Sequence, residues 1–479
     1  AAWHENVNND TLNTEHFHEF ALDLQTDAAG SFYYMKGARH ARDALHPQHG
    51  TLIKVSKDGA RSEIIAKGFR APNGLTVSPA GEFFSTDQEG YWMPANRLNL
   101  IKRGGFYGNT WSWFPEGKPT QYEPPLCWLN PKVDRSPSTM AWVTSDRWGP
   151  LQDRLLSLSY GVGRIFLVLQ ETVNGVRQGG VTPLPVEFDT GIMRGRFHPR
   201  DGQFYVCGLF GWAGNKTQAG GFYRVRYTGL SLRLPNELHV ATNGVVLTFT
   251  DPLDPSSAMD TGNYSVEMWN YRWTENYCSP DFKLDGSQGR DRLKVASAHL
   301  ARDERTVFLR LPGICPVMQM HIQMNLKTAD GAPIRTFVHN TIHALGNRSG
   351  EEWLGEQAVA TVRQVQFELK NEASGLAQTF VSRAAASGGA ADTRLSRLLA
   401  LNVPAGSPPT PFLPPGPFVS TWRGFIKLDL SDSYAFHATG RGKVTVRVNG
   451  ELAISAGGNA TPFGGLDARD AGGGKGVAP

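Results

Sequence analysis

Three stretches of this chain repeat one form: "TDAAGSFYYMKG" (Thr26 to Gly37), "SPAGEFFSTDQEG" (Ser78 to Gly90) and "HPRDGQFYVCGLFG" (His198 to Gly211). Each is a polar turn closed by a glycine (Gly30, Gly81, Gly202), then one polar residue, then an aromatic pair or near-pair. A weaker copy, "SDRWGPLQDRLLSLSYG" from Ser145, falls in the long gap between the second and third. Self-similarity at intervals of about 40–50 residues marks a chain assembled from repeated supersecondary units. Between the turns, "GTLIKVSKDG", "GRIFLVLQETVNG" and "GGFYRVRYTG" are apolar alternations that end in Gly or Asp-Gly turns, as strands do. Four short strands per repeat, returning each time to the same turn, predict a β-propeller. About four blades fit before Gly229, which implies that preceding blades lie outside this chain.

After Gly229 the pattern changes. "GVVLTFTDPLDPSSAMDTGNYSVEMWNYRW" holds an alternating strand, a Pro/Asp turn and an aromatic-rich strand. In "MQMHIQMNLK" the residues Met318, Met320, Ile322 and Met324 share one face, a core stripe rather than a metal or partner surface. The expected class is all-β: a partial propeller at 1–229, an immunoglobulin-like sandwich at 230–345, a linker at 346–392 and a carbohydrate-binding-type sandwich at 393–479. In the last piece Val444, Val446 and Val448 lead into Asn449-Gly450, a strong hairpin signal. The tail "GGLDARDAGGGKGVAP" is poor in apolar residues and is expected to fray.

Composition excludes several functions. The formal charge is only +4 over 479 residues and no Lys/Arg block stands out, which argues against nucleic acid as a partner. No window approaches eighteen consecutive apolar residues, so no membrane span is expected. The chain opens on Ala1 in polar text without an initiator Met, as a processed or excised piece of a longer protein would. Cys127, Cys207, Cys278 and Cys315 form neither C-x-x-C nor C-x-x-C-H, which excludes a zinc knuckle and covalent haem within these residues. Cys207 reads as a small core residue. Cys278 and Cys315 are open to pairing in an oxidising compartment.

The second repeat carries the chemistry. Its second apolar run ends in Asp87, Gln88 and Glu89 before Gly90, a polar cluster that a plain hairpin does not need. With its surroundings, "GFRAPNGLTVSPAGEFFSTDQEGYWMPANRLNLIKRGGFYGN" is similar to the central blades of the quinoprotein glucose and sorbosone dehydrogenases. More closely it resembles the multi-domain secreted dehydrogenase-like proteins of planctomycetes and verrucomicrobia. "DTGIMRGRFHPRDGQFYVCGLFGWAGNKTQAGGFYRVRY" resembles the closing blades of that family. "DPLDPSSAMDTGNYSVEMWNYRWTENYCSPDF" resembles the sandwich that follows them, and "FVSTWRGFIKLDLSDSYAFHATGRGKVTVRVNGE" a protective-antigen-type sandwich. The resemblance implies oxidation of a sugar or alcohol with calcium-held pyrroloquinoline quinone and transfer of electrons to a cytochrome c. It also implies a secreted, periplasmic or cell-surface location. His18 of "EHFHEF" falls at the catalytic base, Arg70 at the quinone contact, and Gln88, Gly90 and Tyr91 at the calcium-binding turn, with Glu89 an insertion and Asp87 adjoining. The family's Asn after Arg70 is Ala71 here, and its following acidic pair is Asn96 and Arg97.

The chemistry needs these residue types. A neutral His takes the hydroxyl proton as hydride leaves carbon. A hard cation held by oxygens polarises the quinone, and an Arg neutralises its carboxylates. The loop "ARHARDALHPQH" adds three His and two Arg that suit the same mouth. Two other functions use the same stretch. A metal-dependent lactonase propeller would ligate calcium through Asn73 of the Pro-Asn-Gly-Leu turn. A non-catalytic surface scaffold would bind polysaccharide through Trp92, Trp111, Trp113 and Trp212.

Overall fold

The structure, a computed structural model, describes residues 5–114, 117–211, 216–349, 375–383, 390–426, 428–432, 434, 436 and 442–458. The chain forms two compact units, Ala1–Ala360 and Thr361–Pro479.

In the first unit the repeated turns join the first two strands of successive sheets. β1 (Ala21–Thr26), β2 (Phe32–Lys36), β3 (Thr51–Val55) and β4 (Ser62–Lys67) form one antiparallel meander. β5 (Gly74–Val77), β6 (Phe83–Asp87), β7 (Asn96–Ile101) and β8 (Cys127–Leu129) form the next. β9 (Pro137–Trp142), β10 (Leu155–Ser159), β11 (Arg164–Val173) and β12 (Val176–Glu187) form a third, and the weak repeat from Ser145 is its β9–β10 connection. β13 (Arg194–Phe197), β14 (Phe204–Gly211) and β15 (Lys216–Val225) make a three-stranded fourth. Gly30, Gly81 and Gly202 have φ of 85°, 84° and 67°, left-handed positions where a Cβ is costly.

The first strands of these sheets are stitched to one another. Leu75 N–H of β5 donates to Asp23 Oδ2 of β1 (2.9 Å) and Ser138 Oγ of β9 to the Ile192 carbonyl just before β13 (2.6 Å), while Thr86 Oγ1 of the second strand β6 donates to the Ser138 carbonyl (3.0 Å). Arg196 reaches back from β13 to Asp23 on β1 (3.3 Å). Four blade-like sheets thus gather their first strands about a common line, a partial β-propeller. Phe69, Leu75 and Tyr107 fill the wedge between the first two sheets, and Phe84, Leu129, Met140 and Phe166 the next. Each such fully buried side chain contributes about 1.5–3 kcal/mol.

The chain then builds two facing sheets from β16 (Pro235–Ala241), β17 (Gly244–Phe249), β18 (Tyr264–Trp269), β19 (Asp291–Leu293), β20 (Ser297–Leu300), β21 (Thr306–Arg310), β22 (Val317–Lys327) and β23 (Pro333–Ile342). One sheet runs β16-β17-β21-β20, and β19-β18-β22-β23 faces it across Val245, Leu247, Val266, Ile322 and Met324. Met320, Ile322 and Met324 are buried, the core role their spacing predicts, whereas Met318 of the same stripe is half-buried and packs instead beside Trp128 and Trp269. The second sheet continues into the propeller. β23 pairs with β12 at Gly180–Asn340 and Val181–His339, giving one eight-stranded sheet. Gly180 permits this approach, since a Cβ there would lie 2.5 Å from the Asn340 Cβ.

In the second unit β24 (Leu376–Ser382), β25 (Ala391–Ser396) and β26 (Phe418–Arg423) form one sheet, and β27 (Gly442–Val448) and β28 (Glu451–Gly458) a hairpin. Its Asn449-Gly450 turn has φ of 51° and 85°, both positive as a type I′ turn requires. β24 lies inside the stretch expected as linker. Trp212 and the tail from Gly464 lie outside the described residues.

Among the described residues the α-helix is confined to Pro255–Met259, and no helix is long and apolar enough to cross a membrane. One expectation is corrected. Cys207 is exposed, not core, because the alternation of β14 turns Phe204 and Val206 inward and Cys207 out. Cys278 and Cys315 are free thiols.

Candidate functional site

His18 precedes β1, Arg70 lies between β4 and β5, and the Asp87–Tyr91 turn follows β6. The fold brings all three together. The order begins with Asp87, wholly buried at the end of β6. Its Oδ2 accepts the Arg70 N–H (2.8 Å), and its Oδ1 accepts the Ala71 N–H (2.7 Å) and the Gln88 N–H (2.9 Å). That carboxylate ties the β4–β5 connection to the β6 turn and fixes the start of the Arg70 side chain. Burial raises its pKa to about 6 even against these donors. Next, Gly90 lets Arg70 pass, since a Cβ there would sit 2.0 Å from the Arg70 Nε. The guanidinium then lies over the Tyr277 ring, 5.3 Å from its centre, and donates to His40 Nδ1 (3.3 Å).

His18 stands beside this cation. Its Nδ1 lies 2.8 Å from the Ala38 carbonyl, an acceptor only, so Nδ1 carries the proton and Nε2 keeps its lone pair. Among the described residues Nε2 makes no protein hydrogen bond. Burial first, and Arg70 with two neighbouring histidines after it, hold the His18 pKa down to about 4, so the ring is neutral at physiological pH. His18 and His40 rings are 5.3 Å apart, His40 and Tyr91 5.3 Å, Tyr91 and Tyr277 5.2 Å, and Tyr91 and Trp111 5.0 Å. The result is a half-exposed patch of rings around one buried cation.

The other predicted residues fare differently. Gln88 is half-buried and its side chain makes no hydrogen bond among the described residues. The Gly90 carbonyl accepts the Met93 and Cys278 N–H groups (both 3.1 Å). Glu89 is buried, with Oε1 3.5 Å from Arg135 and Oε2 unpartnered; burial raises its pKa. Asp134 is buried nearby. Its Oδ1 accepts from Ser159, its Oδ2 has no partner, and burial with the Glu89 charge pushes its pKa up to about 7. Asn73 is taken up elsewhere, its Oδ1 accepting both terminal nitrogens of Arg194 at 3.1 Å. Arg97, where the resemblance would put an acid, is an internal strut. It donates to the Tyr107 and Glu123 carbonyls (2.8 and 2.6 Å) and packs on Trp128.

A second polar cluster adjoins the first. Glu19, His46 and His49 place ligand-type atoms within 4.8 Å of one another. Three features oppose a metal there. The His46 and His49 rings are stacked 3.7 Å apart, so their in-plane lone pairs do not converge. Each Nδ1 accepts a backbone N–H, from Gln48 (3.3 Å) and Leu45 (3.2 Å), which puts the proton on Nε2. The Lys36 ammonium already lies 3.4 Å from Glu19. Glu19 also accepts from Thr14, so the cluster anchors the segment that delivers His18.

No family model and no curated protein matches the chain. Solved structures similar to it include the oxidoreductase (glucose dehydrogenase) of Thermus thermophilus, at 20% identity over 42% of this chain and 63% of that one, TM-score 0.33. The soluble aldose sugar dehydrogenase of Escherichia coli matches at 17% identity over 42% and 62%, TM-score 0.31. The aldose sugar dehydrogenase of Streptomyces coelicolor in its PQQ-bound form matches at 14% over 43% and 60%, TM-score 0.30. The chain spans less than two thirds of the length of each.

Sequence reading missed Tyr277 and Asp134. Neither belongs to a repeat or a motif. A cleft of about 340 Å³ opens beside Phe83 and Ile101, and none of the predicted site residues lines it.

Proposed function

We propose that the His18–Arg70 patch oxidises a sugar or alcohol with a planar anionic quinone, of the pyrroloquinoline quinone class, as acceptor. The observation that carries this is the fixed tautomer of His18: the Ala38 carbonyl holds the proton on Nδ1, leaving Nε2 as a neutral base beside a buried cation. Arg70, flanked by the rings of His40 and Tyr91, suits a flat anion that needs both a counter-charge and a stacking surface. When bound, such a quinone accepts hydride from the substrate carbon. His18 Nε2 takes the hydroxyl proton, and Arg70 orients and neutralises the acceptor's carboxylates.

Calcium fits the Asp87–Tyr91 turn poorly as arranged. Both Asp87 oxygens and the Gly90 carbonyl already accept backbone N–H groups, whereas calcium takes 6–8 oxygens. Among the described residues the buried carboxylate oxygens without a hydrogen-bond partner are Glu89 Oε2 and Asp134 Oδ2, and the half-buried Gln88 side chain is likewise unengaged. The lactonase alternative loses its ligand, because Asn73 Oδ1 is held by Arg194. The test is dye reduction with aldoses and alcohols after loading with quinone, with and without calcium. His18→Ala should lower turnover by about 10²–10⁴ at an unchanged melting temperature. Equal turnover in the variant would remove His18 from the chemistry. Polysaccharide binding without any quinone binding would establish the scaffold function instead.

A further inference from the structure

We propose that Tyr277, carried by the connection between β18 and β19, is the specificity-determining wall of the His18–Arg70 patch and stacks on the apolar face of a pyranose ring; this rests on the sugar-oxidising function proposed above. The connection leaves the sandwich and is bolted to the propeller turn. Trp273 Nε1 donates to the Gly108 and Trp92 carbonyls (2.8 and 3.2 Å), Trp92 N–H to the Thr274 carbonyl (3.0 Å), and Ser279 N–H to the Pro94 carbonyl (2.9 Å). Tyr91 and Tyr277 form an isolated bridge, and Cys278 N–H donates to the Gly90 carbonyl (3.1 Å). The base of the segment is closed by mutual Asn270–Phe282 bonds (2.7 and 3.0 Å).

A connection with so many fixed points would be expected to bury its large side chains. Tyr277 instead stays 48% exposed. Its ring stands edge-on to Tyr91 (87°), over the Arg70 guanidinium and 6.4 Å from the His40 ring. The next residue, Cys278, holds φ at 60°, a left-handed position that a non-glycine residue adopts at a cost. The backbone is therefore bent at the point that presents this ring. A rigid, half-exposed aromatic face set beside a neutral base and a cation matches a ligand with one C–H face and a rim of hydroxyls. A short-chain alcohol has no such face, so Tyr277 separates ring sugars from small alcohols.

The experiment compares wild type with Tyr277→Phe, Tyr277→Leu and Tyr277→Ala on an aldopyranose and on a short-chain alcohol. The inference predicts that Ala and Leu raise KM for the aldopyranose about tenfold, the size of one aromatic contact, with kcat within about twofold. Phe should keep the wild-type KM, and KM for the alcohol should not move in any variant. Equal KM changes for both substrates, or none, would overturn the inference. If wild type oxidises neither substrate, the sugar-oxidation proposal fails, and calorimetric titration with the aldopyranose decides Tyr277 separately. Binding that is lost in Ala and Leu and kept in Phe supports the wall; no binding, or binding indifferent to position 277, rejects it.

Discussion

His18 owes its chemical character to one carbonyl and to its burial. The Ala38 oxygen selects the tautomer, and desolvation keeps the ring uncharged until the pH falls to about 4. Because the base must be neutral to accept a proton, kcat/KM should be flat from pH 7 to 5 and fall steeply below about 4, as a pH-rate profile would show. An acid limb near 6.5, the ordinary histidine value, would mean that His18 is solvated in the working protein. The Asp87–Tyr91 turn stood out in the sequence because it interrupts a repeat whose other copies show what an ordinary hairpin contains, whereas His18 and Arg70 were marked by the family resemblance alone. The role of Asp87 was not legible. A carboxylate in a turn reads equally as a cation ligand or as a cap for backbone N–H groups, and only burial with three donors at 2.7–2.9 Å decides for the cap. Tyr277 was illegible for another reason: it meets Arg70 through tertiary contacts, with no local pattern to mark it.

Glycines set the elements and their joins. Gly30, Gly81 and Gly202 were readable because a left-handed turn residue recurs at the same place in each repeat. Gly180 was not, since its purpose lies in another strand: it lets β23 pair beside β12 and fuses propeller and sandwich into one sheet. Gly180→Val should destabilise the protein by about 1–3 kcal/mol, the range for forcing bulk into a packed site. A shift in the urea midpoint measures this. An unchanged midpoint would show that the β12–β23 join is dispensable. The alternation rule worked for Met320, Ile322 and Met324 because they face the sheet that carries Val245 and Leu247 while His321 and Gln323 turn away from it. Cys207 was misplaced because its expected burial rested on the general habit of free cysteines, whereas the alternation of β14, with Phe204 and Val206 inward, turns it out.

At the scale of the whole molecule, buried histidines set the response to acid. His18, His49 and His321 are each held down to about 4 chiefly by burial, and His339 well below its ordinary value for the same reason. Below pH 6.5 the unfolded chain takes up protons on these rings before the folded chain does. Their contribution is therefore present above about 6.5 and lost as pH falls toward 4. Asp87 and Asp134, raised to about 6 and about 7, and Glu89, raised by burial, act in the opposite sense, but four rings outnumber three carboxyls. The urea midpoint should therefore drop between pH 6.5 and 4, and a midpoint that rises over that range would place the carboxyls in control. The site itself is a product of this scale, since β1, β5, β6 and the β18–β19 connection each deliver one part of a ring-lined patch around Arg70. Titration of wild type and Arg70→Gln with pyrroloquinoline quinone, followed by tryptophan fluorescence, tests that claim most directly. Saturable binding in wild type, weakened about tenfold or more in Arg70→Gln, is the predicted result. No binding, or the same affinity in both proteins, would contradict it.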